Sequence, residues 1–173
     1  PDGASLVRVV LTPEVKAVLA EITHATLFAD GDAPIARAWR ELAEACRTAY
    51  PVLLENEHTE LFVGTGKAEV TPYLLHYTLK HSADVPLVGL RARLDAWGIA
   101  RRSHASEPED HVAGICEALR IAIAVQHRPP EAQRDFFQAF LMDAGLLFCT
   151  AVSASPKANF YRRVHRFYKP MLR

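Results

Sequence analysis

Glu107-Pro108-Glu109-Asp110-His111 runs without a break into Val112, Ile115, Cys116, Leu119 and Ile123. The apolar set recurs at the spacing that lines one face of an α-helix. The acidic set is what helix starts favour: carboxylates near free N–H groups and the positive end of the dipole, with a proline that fixes the first φ. The residues after Pro108 therefore read as a first helical turn, and the helix as running from about Pro108 to Gln126. A second reading stands beside the well-capped helix. Three carboxylates and an imidazole in a partly dry pocket would grip a cationic partner.

The same periodicity extends outward from this stretch. Thr12-Pro13-Glu14 opens a helix carrying Val15, Val18, Leu19 and Ile22 and ending near Ala29. A second starts at Ala33-Pro34, carries Ile35, Ala38, Trp39, Leu42 and Cys46, and is broken by Pro51. A shorter segment holds Leu53, Leu54, Leu61 and Phe62 and stops at Gly64. A loop leads to Pro72, and Tyr73 to Lys80 reads as a short helix. Pro86 opens another, with Leu87, Leu90, Leu94 and Trp97, closed by Gly98. Arg101 to Ser106 is a polar linker. From Pro130 to Val152 the apolar set Phe136, Phe137, Phe140, Leu141, Ala144, Phe148 and Val152 covers too wide a face for a surface helix, which places this element at the centre. A last helix spans Lys157 to Tyr168, with Phe160, Val164 and Phe167 inward. No stretch alternates with period two. The expected fold is all-α: one domain over residues 1–173, a bundle of about seven to nine helices joined by short loops.

With 173 residues, 50% of them hydrophobic, the chain is long enough for one well-filled core. Lys+Arg and Asp+Glu are 20 each, so bulk charge draws it neither to nucleic acid nor to anionic lipid. Locally the charge separates. Residues 157–173 hold six Lys or Arg and no acid, whereas residues 107–117 hold four acids and no Lys or Arg. Cys46, Cys116 and Cys149 lie in helical patterns with no CxxC spacing, which fits reduced core thiols better than disulfides or zinc. There is no charge-free apolar run of about 18 residues, so no membrane span is expected. The start lacks the features of a signal peptide.

Most catalytic patterns fail on inspection. Gly64-Thr65-Gly66-Lys67 has Leu61 where a phosphate loop needs glycine and Ala68 where it needs Ser or Thr. The eight histidines form no metal-ligand pattern, and no serine sits in a nucleophile elbow. What the chain does supply is carboxylates beside apolar rings. Glu107, Glu109 and Asp110 form one acidic set, and Glu55, Glu57 and Glu60 another. Phe62, Tyr73, Tyr77 and Trp97 offer apolar surface. Carboxylates for guanidinium forks with a groove beside them make a receptor for a cationic-then-apolar peptide.

Three pieces, in order, resemble the TorD-like family of redox-enzyme maturation chaperones. Leu61-Phe62-Val63-Gly64 followed by Pro72-Tyr73 and Tyr77 is similar to its L-F-x-G and P-Y-x-S-x-Y segments. Glu107-Pro108-Glu109-Asp110-His111 is similar to its E-P-x-D-H run. Phe136-Phe137-x-x-Phe140-Leu141 and Phe160-Tyr161 resemble its tail. Leu75 stands where the usual serine does, and Gly145-Leu146 where many relatives carry tryptophan. The resemblance implies a cytoplasmic, non-catalytic, all-helical chaperone. It would bind the twin-arginine signal peptide of a molybdopterin oxidoreductase precursor and delay export until the cofactor is inserted. Asp110 and His111 would be central to peptide binding, with Glu107 near them and Pro108 in the same peptide-binding run, and Phe62, Tyr73, Tyr77 and Trp97 lining the groove. It further implies no resident cofactor beyond weak guanine nucleotide binding near Asp110-His111. It also implies a monomer or a dimer swapped through the Ala100 to Ser106 loop. Two rivals remain: a nucleotide-hydrolysing protein using the Asp110-His111 pair, and a helical scaffold docking a partner subunit through the basic helix with Arg162, Arg163 and Arg166.

Overall fold

Prolines open three of the helices and a glycine closes another. The computed structural model describes residues 34–63, 67–78, 84–101 and 107–171, so the helix expected over Thr12 to Ala29 and most of the Arg101 to Ser106 linker lie outside it. Helix α1 is Pro34–Thr48 and α2 is Pro51–His58, which continues as a π-helical turn over Thr59–Val63. Pro51 sits in the first turn of α2, where its missing N–H costs nothing. A 3₁₀ turn covers Leu74–Tyr77. Helix α3 is Asp84–Ala96 and α4 is Val112–Ala124. Helix α5 runs for 25 residues, Pro130–Ala154, with a π-helical turn at Gln138–Met142. Helix α6 is Phe160–Met171. The fold is all-α. Among the described residues there is no strand, only one isolated antiparallel bridge between Tyr73 and His111.

Gly98 ends α3 in the left-handed region, at φ +65, which a side chain would strain. The Ile99 N–H then reaches back to Leu94 O at 2.9 Å, the bond that closes a Schellman motif.

The chain divides into two compact units, residues 1–70 with 149–173, and residues 71–148. In the first, α1 packs on α6 and buries Ala38, Leu42, Ala45 and Cys46. Phe62 belongs here, edge-on to Tyr161 at 5.0 Å and beside His58 at 5.4 Å. Glu57 spans from α2 to the start of α6. Its carboxylate accepts the N–H groups of Asn159, Phe160 and Tyr161 at 2.7, 3.0 and 3.0 Å. Those donors are among the four a helix leaves open at its start, so Glu57 caps α6 from a distant part of the chain. The basic helix is also tied internally. Arg162 donates to Ser155 O at 2.8 Å and Arg166 pairs with Glu41 at 3.7 Å. Val164, expected inward, is 36% exposed.

In the second unit, Leu74, Leu90, Ile115, Ala122 and Phe136 are almost wholly enclosed. Trp97 stacks on Phe136 with ring centres 4.8 Å apart, and Phe136 meets Phe140 at 5.1 Å. The Arg128 guanidinium lies 4.9 Å above the Trp97 ring, while Gln126 donates to Trp97 O at 2.8 Å. This cluster locks the end of α3 to the α4–α5 connection. By length and composition alone α5 is apolar enough to cross a membrane. Its buried side chains are Phe136, Leu141 and Ala144 in this unit and Cys149 and Val152 in the other.

Candidate functional site

Three segments of the second unit converge at the mouth of α4. The 71–77 segment and the 107–112 segment run antiparallel for a few residues. Leu74 N donates to Asp110 O and Val112 N to Pro72 O, both at 2.9 Å, and Tyr73 and His111 pair between them. Such main-chain pairing fixes the acidic run by its backbone, leaving the carboxylates free of that task. The third segment is α3, which brings Arg91.

The acidic run is not the first turn of α4, which corrects the expectation from Pro108. Pro108 to His111 form a turn closed by His111 N on Pro108 O at 3.2 Å. The helix starts at Val112, and no acid lies in its first turn. His111 is the N-cap: its φ and ψ are −59 and 133, and its Nδ1 accepts from Ala113 N at 3.2 Å. The turn fits closely against the helix. A Cβ added at Gly114 would stand 3.3 Å from Glu109 O, so a larger residue would push the acidic turn away.

Tyr73 donates its hydroxyl to Glu107 Oε2 at 2.6 Å, and its ring meets the His111 ring edge-on at 5.7 Å. The bond to Glu107, helped by burial, pushes the Tyr73 phenol up to about 12. Arg101 donates to Glu107 O at 3.0 Å. Arg91 donates through Nε and Nη2 to Glu109 Oε2, at 3.2 and 3.0 Å.

The titration of these groups follows from their surroundings. Burial raises Asp110, and Glu109 adds to that, while His111 and Arg91 oppose it; the net direction is up. Burial also pushes Glu109 up, but its hydrogen bonds, that to Arg91 foremost, outweigh it and leave the carboxyl below the ordinary value. Burial holds His111 below the ordinary imidazole value despite Glu107 and Asp110 nearby. The neutral imidazole is the form that capping needs, since Nδ1 must accept a proton. Which nitrogen is protonated follows from that bond.

The residues singled out from sequence separate into groups. Glu107, Pro108, Asp110, His111 and Tyr73 come together. Tyr77 lies close by along the chain, its hydroxyl donating to Thr71 O at 2.9 Å and its ring meeting Phe148 at 6.1 Å. Trp97 is a core ring on Phe136, only 6% exposed. Phe62 is in the first unit with His58 and Tyr161. Within the second acidic set, Glu57 is engaged as the cap of α6. Arg91 escaped the sequence reading. It lies beside Leu90 in an ordinary helical stripe, and nothing local to it marks an acidic partner on another segment. Among the described residues no group of three or more His, Cys, Asp or Glu is placed to hold a metal ion.

The sequence matches the family model described as nitrate reductase delta subunit over residues 29–143. No curated protein and no solved structure matches it.

Proposed function

The chain belongs to the nitrate reductase delta subunit family, a NarJ/TorD-like family of molybdoenzyme maturation chaperones, and from that premise we propose that it binds the twin-arginine signal peptide of a molybdoenzyme precursor in the cytoplasm. The acidic turn at 107–110 receives the guanidinium pair. Glu107, Glu109 and Asp110 supply the carboxylates, His111 and Tyr73 bound the pocket, and the Tyr73 and Tyr77 rings flank the path of the apolar stretch that follows. Trp97 acts from the core, by fixing the end of α3. The chain works as one chaperone domain and catalyses no reaction of its own.

One observation supports this reading above the others. The carboxylates are held on a backbone-paired turn outside the helix, so none of them is needed to cap it; His111 does that. A half-buried Asp110 whose charge is disfavoured by burial gains most from a cation that arrives with its own hydrogen bonds.

The test is titration calorimetry with a synthetic peptide carrying an arginine pair and an apolar stretch. Asp110→Asn and Glu107→Gln are expected to weaken binding about tenfold or more, the scale of a lost charge-assisted hydrogen bond, with unchanged thermal melting. Equal affinity in both variants overturns the reading. A melting temperature that collapses in Asp110→Asn would mean the carboxylate serves the fold.

A further inference from the structure

The acidic turn already holds a guanidinium. Arg91 places two N–H donors on a single oxygen of Glu109, Oε2, at 3.2 and 3.0 Å. Both donors converge on one oxygen. A side-on fork with one donor on each carboxylate oxygen would bind more tightly. The partners are also unequal. The Arg91 side chain is 52% exposed, whereas that of Glu109 is 18% exposed. The carboxylate is therefore held in place while the guanidinium has open water beside it and a long flexible stem. Arg91 reaches further than Glu109, since its charge also bears on Asp110. Arg101, the other cation at this turn, donates to the main-chain carbonyl of Glu107, and its charge also bears on Glu109.

We propose that Arg91 is a built-in competitor for the arginine-bearing peptide: it occupies Glu109 while the site is empty and swings into solvent when a peptide guanidinium takes its place. This rests on the peptide-binding reading above and adds a threshold to it. A peptide with one exposed cation trades like for like at Glu109 and gains little. A peptide that engages Glu109 side-on and reaches Asp110 or Glu107 as well gains contacts that Arg91 never makes. Arg91 thus selects for paired arginines, and it keeps unpaired carboxylates from facing the cytoplasm when no client is present.

The experiment compares wild type with Arg91→Gln, binding the synthetic arginine-pair peptide at low and high salt. Arg91→Gln is expected to tighten binding about two- to fivefold at low salt, the weight of one exposed ion pair, with a smaller gain at high salt. The same substitution in a Glu109→Gln background is expected to give a clearly smaller gain, since only the Arg91 charge on Asp110 is then removed; an equal gain in that background overturns the competition at Glu109. Equal affinities in the first comparison overturn the competition while leaving the peptide site intact. Weaker binding in Arg91→Gln, restored by Arg91→Lys, also overturns it and makes Arg91 a positioning residue for Glu109. Failure of every form to bind the peptide overturns both the competition and the peptide-binding reading. Matched thermal melting of wild type and Arg91→Gln excludes a folding artefact.

Discussion

A neutral imidazole stands where Ser, Thr or Asp more often caps a helix. His111 accepts from Ala113 N only while Nδ1 carries no proton, and its burial lowers its pKa from 6.5. The unfolded chain therefore takes up this proton at a higher pH than the folded one. The stability His111 contributes is complete above about pH 6.5 and is lost as the pH falls through the lower folded value. His111→Asn retains an acceptor and cannot titrate, so urea unfolding at pH 7.5 and 5.5 should show a smaller acid loss than in wild type. His111→Ala should cost about 1 kcal/mol at pH 7.5, as lost caps do, and less at pH 5.5. An unchanged acid slope in His111→Asn would sink the argument. The sequence disclosed that a helix follows this stretch. It misled about where the helix begins, because proline and acids are the usual marks of a first turn. Here they belong to a turn held by pairing with Pro72 and Leu74, and that pairing leaves no mark in local spacing. Arg91 was invisible for the same reason.

At the scale of elements, apolar periodicity located α1, α3, α5 and α6 to within a turn and α4 at its end but not its start, and the stops at Pro51 and Gly98 were plain from residue type. Two things were not. The π-helical turns at Thr59–Val63 and Gln138–Met142 left no mark in residue type. The role of Glu57 was equally hidden. In the sequence it is one of three similar glutamates, yet it alone caps α6 from a helix about a hundred positions away along the chain. Glu57→Gln keeps an acceptor but loses the charge that favours a helix start, and Glu57→Ala loses both. The expected cost is about 0.5 kcal/mol for the first and 1–2 kcal/mol for the second. For a chain of this size the latter lowers the melting temperature by roughly 2–8 °C. Differential scanning fluorimetry checks the order. If Glu57→Ala melts with wild type, the cap contributes nothing.

Across the whole molecule, equal numbers of acids and bases hide a strong local asymmetry, and the acidic turn and the basic last helix fall in different units. The last helix spends Arg162 and Arg166 on internal bonds, which leaves the acidic turn as the better candidate for recognition. Helix α5 supplies residues to both units without a break. A continuous helix that serves two cores favours joint unfolding, and we expect one transition, with calorimetric and van't Hoff enthalpies equal. Two resolved transitions would mean that each unit folds alone.

The two tryptophans make that question optical. Trp39 lies in one unit and Trp97 in the other, so each half of the molecule carries its own lamp. Trp97, enclosed against Phe136 and under the Arg128 guanidinium, emits at shorter wavelength than the half-buried Trp39. In Trp39→Phe the remaining emission reports only the half that holds the acidic turn, and its colour follows that half as the chain is heated or as a synthetic arginine-pair peptide is titrated in to test the proposal.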